Sequence, residues 1–280
     1  MKMNLVAIVS LYNPTKEDRN RINSYLPLLE NCILMDDSEN CLDLDMDNIN
    51  ESGCDVEYEW NGCNLGLCKS LNRGIEKAIT LGADWILFMD SDSSFYNNII
   101  TVYKDYIENN DVEKVAILAP QHNYNRHKRK PKKGTRRKNK VMLSGCLYNV
   151  AAIKRIGTFD ERFFIDGLDY EWCKRASTKG YRIIECSEAV INHNPATERQ
   201  LRVLGKVILR YGWDTPIRYY YQFRSMFLMH ELYRDIVLDM SLWFKPVKAF
   251  LLFDNRMAYL KAWKNAKKDA RSGYYGKYCQ

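Results

Sequence analysis

The chain has 280 residues, 46% of them hydrophobic, with only 14 glycines and 7 prolines. That excludes a disordered, collagen-like or low-complexity protein and leaves one large domain or a domain with an appendage. The formal net charge of +7 hides a polarity: residues 1–100 hold 7 Lys/Arg against 17 Asp/Glu, residues 126–140 hold 10 Lys/Arg and no acid, and residues 245–280 hold 9 against 2.

The first half alternates strand and helix signals. Residues 3–12 (MNLVAIVSLY) form an apolar, β-branched run ended by Asn13-Pro14, and read as a buried strand rather than a signal segment. Residues 16–30 carry Ile22, Leu26 and Leu29 at helical spacing. A short strand, 32–35, runs into Asp36-Asp37, and 55–60 (DVEYEW) alternates like a half-exposed strand. Residues 69–81 place Leu71, Ile75, Ala78 and Ile79 on one helix face, with Gly82 as the stop. Residues 85–89 (WILFM) are a continuous apolar strand, 97–107 a helix and 115–119 another strand. Farther on, 141–150 reads as a strand, 169–179 as a helix stopped by Gly180, and 181–184 as a short strand. From residue 196 the pattern is all-helical and rich in aromatics, Tyr219, Tyr220, Tyr221, Trp243, Phe250 and Trp263 among them. No apolar run approaches the roughly 18–20 residues of a membrane span.

Strands alternating with helices imply an α/β fold, a mostly parallel sheet flanked by helices, with a helical C-terminal extension. In such sheets ligands bind beyond the carboxyl ends of the strands. There the sequence collects Tyr12-Asn13-Pro14, Asp36-Asp37-Ser38, Gly62 with Asn64 and Gly66, and Asp90-Ser91-Asp92. Asp90 and Asp92 point the same way on an extended segment, and two hard carboxylates suit Mg²⁺ or Mn²⁺. Asn64 and Gly66 open a helix, whose N-terminus favours anions. Asp166, Asp169 and Glu171 follow the apolar Phe163-Phe164-Ile165, and a carboxylate in that partly buried setting suits a general base. Asp-x-Asp is also an ordinary acidic turn, and acids in a first helical turn are ordinary caps. His193, after the apolar 189–191, is by itself more often structural than a ligand.

The nine cysteines include no Cys-x-x-Cys pair, so zinc and dithiol sites have no support, and reduced thiols in a cytosolic protein are the expectation. The basic 126–140 lacks apolar periodicity; it reads as a solvated loop able to steer a phosphorylated acceptor or touch anionic lipid. It lacks the stacked aromatics of a single-strand binder, so no nucleic-acid partner is expected. The tail mixes lysines with Trp and Phe, as interfacial helices do and as basic outer faces of packed helices also do.

The order Val9-Ser10-Leu11-Tyr12-Asn13-Pro14, Met35-Asp36-Asp37-Ser38, Asn64-x-Gly66 to Asn72-x-Gly74, Asp90-x-Asp92 and Phe164-Ile165-Asp166-x-x-Asp169-x-Glu171-Trp172 resembles the inverting family 2 glycosyltransferases. Their fold is GT-A, a Rossmann-like α/β sheet. His193 followed by Ile217-Arg218-Tyr219-Tyr220-Tyr221-x-x-Arg224 resembles the bacterial rhamnosyltransferase branch, which builds O-antigens and capsules. The resemblance implies a metal-dependent hexosyltransferase using Mn²⁺ or Mg²⁺. It would move L-rhamnose from dTDP-rhamnose to a saccharide or lipid-linked oligosaccharide. A galactofuranosyl-, galactosyl- or glucosyltransferase using a UDP-sugar is the alternative. It further implies that Ser10, Leu11, Tyr12 and Asn13 line the base pocket, that Asp36 contacts the base, and that Asn64 and Gly66 lie against the nucleotide. Asp90 and Ser91 would meet ribose and phosphates; Asp92, with Asp90 and His193, would hold the metal; Asp169 would be the general base; and Asp166, Glu171 and Trp172 would meet the acceptor. Many relatives carry Arg where this chain has Leu71, which leaves Lys69 for the phosphate contact. The expected division is a glycosyltransferase domain over 1–195, with a nucleotide-sugar half (1–95) and an acceptor half (96–195), and a basic C-terminal region over 196–280. The expected place is the cytoplasmic face of the membrane. Two rivals remain: a nucleotidyltransferase, whose basic glycine-rich loop after the first strand is missing from residues 10–19, and a non-enzymatic polyanion- or membrane-binding protein.

Overall fold

The computed structural model describes residues 3–41, 52–124, 128–193, 197–203, 206–234 and 236–278. Arg126 and His127 of the basic stretch, the expected boundary at 195–196 and Cys279 lie outside them. The chain divides into two compact units, one of 1–160 with 169–194 and one of 161–168 with 195–280.

The first unit is built on a mostly parallel sheet. Strands β1 (Leu5–Leu11), β2 (Asn31–Asp36), β3 (Asp55–Trp60) and β4 (Trp85–Asp90) are parallel neighbours in the order β3-β2-β1-β4. The apolar runs of β1, β2 and β4 are buried on both faces, as central parallel strands are. Beyond β4 the sheet continues through β8 (Leu147–Asn149), which is antiparallel, then β6 (Val115–Asn123) and β9 (Arg182–Asn192), which are parallel to each other. Two short strands, β5 (Ser94–Phe95) and β7 (Thr135–Lys138), pair antiparallel with β9. The helices are α1 (Lys16–Tyr25), α2 (Leu67–Thr80), α3 (Ile99–Asn109), α4 (Val150–Ile156) and α5 (Leu168–Thr178). Helix α2 approaches the sheet at Gly74, where a Cβ would stand 3.0 Å from Ile8 Cγ2 and 3.2 Å from Met35 Cγ. Only glycine permits that approach.

Several elements differ from the sequence expectation. The first helix ends at Tyr25, because Pro27 opens a 3₁₀ turn over Leu26–Leu28. The expected strand over 141–150 is a loop with only Leu147–Asn149 extended; Asn149 then caps α4 by accepting from the Ala151 amide. The short strand at 181–184 runs on to Asn192, because Ser94-Phe95 and Thr135–Lys138 supply it with antiparallel partners. That pairing also gives part of the basic 126–140 stretch regular structure.

The second unit is not all-helical. It opens with a hairpin of β10 (Thr197–Val203) and β11 (Lys206–Trp213), followed by α6 (Pro216–Tyr233), α7 (Ile236–Leu252) and α8 (Arg256–Ser272). Its core is aromatic, with Phe164, Tyr219, Tyr220, Tyr221, Phe223, Phe253 and Tyr259 buried together. Arg224 is 2% exposed. It donates to the carbonyls of Tyr275 at 2.9 Å and Gly276 at 2.7 Å and lies over the Tyr220 and Tyr221 rings. The Tyr-rich stretch ending at Arg224 therefore clamps the C-terminal segment.

Candidate active site

The chain runs outward from β1 to β2 and β3, then returns to β4 on the other side of β1. That reversal is the switch point where open α/β sheets leave a crevice beyond the strand ends. Ser10 and Asp90 are paired residues at the carboxyl ends of β1 and β4. Ser10 Oγ donates to Asp90 Oδ1 at 3.4 Å and to the Met89 carbonyl at 3.5 Å.

Past β4, a turn brings Asp90 and Asp92 to His193, which follows β9; one ligand atom from each lies within 4.8 Å of the others. The Asp92 carboxylate is 40% exposed while the imidazole is 6% exposed, so the cluster has a fixed floor and an open mouth. His193 Nδ1 stands 2.7 Å from Ser93 Oγ and 3.1 Å from Asp92 Oδ1. Ser144 Oγ donates to Ser93 Oγ at 2.8 Å and accepts from the Asp90 amide at 3.1 Å, fixing the turn from below. His122 closes the floor, with its ring edge-to-face to His193 at 5.8 Å and its Nε2 2.9 Å from the Ser144 carbonyl. Burial drives the His122 pKa down to about 4, so it is a neutral support. For His193 burial also lowers the pKa, but the Asp92 hydrogen bond and the charges of Asp90 and Asp92 outweigh it, and the net shift is upward. Asp92 is lowered in spite of burial by His193, Ser93 and Arg21. The spot thus stabilises positive charge. Two carboxylates and an imidazole are a donor set for a divalent cation.

The neighbouring acidic loop, after β2, is different. Asp36 is fully buried. Its Oδ1 accepts from the Ser38 amide at 2.8 Å and the Ser38 hydroxyl at 2.5 Å, and its Oδ2 from Tyr58 at 2.6 Å. These oxygens hold the loop, where the resemblance implies a contact to the base. Ser38 in turn accepts from the Asn13 amide at 2.7 Å through its hydroxyl and from the Trp60 indole at 2.9 Å through its carbonyl. Asp37 accepts from Asn61 at 2.8 Å. What this leaves at the surface is Tyr12 (50% exposed), Asn13 and Trp60 (42% exposed), around the end of β1 and β2.

At the start of α2, Asn64 Oδ1 accepts from the Gly66 amide at 3.0 Å. Gly66 is the N-cap at φ 90, a conformation that favours glycine, and no side chain caps the helix. Lys69, in the first turn, is exposed, while Leu71 is fully buried.

Asp169 opens α5 and accepts from the Tyr170 amide at 2.8 Å. It is half-buried. The residues that the resemblance sets at the acceptor are engaged within the chain. Glu171 is 2% exposed and bidentate to Arg175 at 2.9 and 2.8 Å. Trp172 is 1% exposed and donates to the Gly157 carbonyl at 2.8 Å. Both are core. Asp166 belongs to the second unit, where it pairs with Arg218 at 3.1 Å.

The basic excursion leaves and returns beside the site. Its Arg129 amide donates to the Asn123 side chain, and the Asn123 carbonyl accepts from the His193 amide at 3.0 Å. At its other end, Lys140 lies 5.4 Å over the ring of Tyr170, the neighbour of Asp169. Lys138 pairs with Glu185 at 3.0 Å, while Lys130, Lys132, Lys133, Arg136 and Arg137 are exposed. Sequence reasoning missed Ser93, Ser144 and His122. Ser93 was adjacent to the Asp-x-Asp motif, but Ser144 and His122 carry no local signal, because their roles come from strands distant in the chain.

The family model for glycosyl transferase family 2 matches residues 8–164. The chain is 25% identical over 252 residues to the dTDP-rhamnosyl transferase RfbF of Shigella flexneri, covering 82% of this chain and 80% of that one. Among solved structures, it resembles S. aureus TarS 1–349 with a TM-score of 0.58 at 15% identity, over 97% of this chain and 92% of that one. It also resembles GalNAc-T7 with UDP, GalNAc and Mn²⁺, with a TM-score of 0.60 at 12% identity, over 96% of this chain and 56% of that one. At these identities the structures bear on the fold alone, which is GT-A.

Proposed function

The chain belongs to glycosyl transferase family 2, and from that premise we propose that it transfers a sugar, L-rhamnose from dTDP-rhamnose, to a saccharide or lipid-linked acceptor during surface polysaccharide synthesis. The nucleotide-sugar donor follows from the family. The choice of rhamnose is supported by the likeness to the Shigella flexneri dTDP-rhamnosyl transferase. The observation that carries the reading is the convergence of Asp90, Asp92 and His193 at the switch point, beside Ser10.

In this reading Ser10, Leu11, Tyr12 and Asn13 receive the base, and Asn64, Gly66 and the first-turn amides of α2 face the nucleotide. Lys69 meets the diphosphate, and Asp90 and Ser91 meet ribose and phosphates. Asp90, Asp92 and His193 would hold Mn²⁺ or Mg²⁺. When bound, the cation neutralises charge on the departing nucleoside diphosphate. Asp169 takes the proton from an acceptor hydroxyl. That oxygen bonds to the anomeric carbon from the face opposite the diphosphate, and the bond from the anomeric carbon to the phosphate oxygen breaks. One displacement inverts the configuration. The protein's contribution is alignment of the two partners and fixed charges set before the reaction begins. The basic excursion, tethered near His193 at one end and near Asp169 at the other, favours an acceptor bearing phosphate. In functional terms the division is a transferase domain over 1–195, with donor and acceptor halves meeting near residue 95, and a basic region over 196–280 that serves peripheral attachment at the cytoplasmic membrane face.

The test is a donor panel. Purified protein with Mn²⁺ is offered dTDP-rhamnose, UDP-galactose, UDP-galactofuranose and UDP-glucose, and release of the nucleoside diphosphate is followed. Selective release from dTDP-rhamnose is expected. Selective release from a UDP-sugar would replace the donor, and no release from any nucleotide sugar would overturn the reading.

A further inference from the structure

The second unit carries a surface that the transfer reaction does not use. Helix α7 buries Leu242, Ala249 and Phe253 along one face. At about 100° per residue, Phe244, Val247 and Leu251 fall on the opposite face and Phe250 on its flank; in that order they are 68%, 53%, 64% and 40% exposed. Met257, in the first turn of α8, is 71% exposed, and the hairpin exposes Val207, Ile208 and Leu209. A helix apolar on both faces belongs in a core or at a boundary between water and an apolar phase. This one reaches no such core on its outer face, and no helix among the described residues is long and apolar enough to cross a membrane.

The same unit exposes many cations, one of them at the edge of the apolar face. Arg256 lies over the Phe250 ring at 5.6 Å, and Lys267 over the Trp263 ring at 5.3 Å. Lys261, Lys264, Lys268 and Arg271 line the exposed side of α8, with an open groove beside Trp263, and the hairpin adds Arg202, Lys206 and Arg210. Charge chooses the occupant. A second copy laid on this face would set a segment with nine Lys/Arg and two acids (residues 245–280) against its own like. An anionic lipid surface neutralises the same charges.

We propose that this face of the second unit docks on an anionic phospholipid surface, with Phe244, Val247, Phe250, Leu251 and Met257 entering the headgroup–acyl boundary and the α8 cations on the lipid phosphates. The proposal rests on the transferase reading only in supplying a reason for attachment, a lipid-linked acceptor. The test uses the full chain and sedimentation with vesicles. Vesicles of phosphatidylcholine with 30% phosphatidylglycerol should bind it at least tenfold more tightly than phosphatidylcholine alone, with binding weakened by salt. F244S/L251S should bind these vesicles at least tenfold more weakly at unchanged Tm, and K264E/K268E should lose the salt dependence. Equal sedimentation with both vesicle types overturns the proposal, as does wild-type binding by F244S/L251S. So does a dimer in solution that F244S/L251S converts to monomer without change in vesicle binding. Donor hydrolysis is measured on the same samples. Turnover without vesicle binding sinks the docking alone, whereas vesicle binding without turnover supports the docking and sinks the transferase reading.

Discussion

Two acidic loops stand at the ends of neighbouring strands, Asp36-Asp37-Ser38 after β2 and Asp90-Ser91-Asp92 after β4, and the sequence gives them the same look. The protein treats them oppositely. The first turns its carboxylate inward, where Ser38 and Tyr58 saturate it. The second is held from below by Ser144 and Ser93 and leaves Asp92 half-exposed against an imidazole. A carboxylate whose acceptor positions are filled by its own chain stabilises the fold. One that meets a histidine at an open mouth has a charge to offer a ligand.

The widest separation between the two kinds of acid should appear in activity. Asp169→Asn keeps the shape and removes the base, so transfer should fall about 10²–10⁴-fold, with thermal unfolding unchanged. Asp92→Ala should cost about 10²–10³-fold and be insensitive to added Mn²⁺. Near-normal turnover by either purified variant would refute its role. Asp36→Ala should do the reverse. Three donors lose their acceptor, and stability should drop by about 1–3 kcal/mol in denaturant titration, while activity per folded molecule changes little beyond the loosened loop. If Asp36→Ala unfolds normally yet loses nucleotide affinity, the loop binds ligand after all. A smaller effect separates core from site at α5. Glu171→Gln should lose about 1–2 kcal/mol of stability through the weakened Arg175 pair and leave the KM for acceptor unchanged; a raised KM would restore Glu171 to the site.

The pH response should be the smallest effect and the most diagnostic. His193 is shifted up from its usual 6.5, so its contribution is full below that value and is lost as pH rises through the shifted pKa. Asp92 is shifted down from 3.8, so its contribution is present above that value and is lost as pH falls through the lowered pKa. The pair therefore stabilises the metal-free protein most between about pH 4 and 6.5. With Mn²⁺ present, stabilisation should instead grow with rising pH, because proton and cation compete for one imidazole. Unfolding midpoints across pH with and without Mn²⁺ check this, and parallel curves would contradict it.

The alternation of elements makes the parallel sheet legible, and the order of motifs makes Asp90, Asp92 and His193 legible as one donor set. What was not legible has physical reasons. Val141–Val150 looked like a strand by β-propensity, but only three of its residues find a partner in β4 and β6. The hairpin at 197–213 was hidden by charges interleaved with its apolar residues. Asp36 and Asp92 cannot be told apart locally, because Tyr58, Ser144 and His193 arrive from other strands. Trp172 and Glu171 read as site residues through proximity to Asp169, yet both are buried where Asp169 is half-buried.

The most direct measurement is calorimetric titration of Mn²⁺ into the metal-free protein in the presence of a nucleoside diphosphate. One saturable site is predicted, abolished in Asp92→Ala and weakened at least tenfold in His193→Ala, with both variants folded. Equal Mn²⁺ binding by the wild type and Asp92→Ala would contradict the account, since the cation would then be held somewhere other than the mouth formed by Asp90, Asp92 and His193.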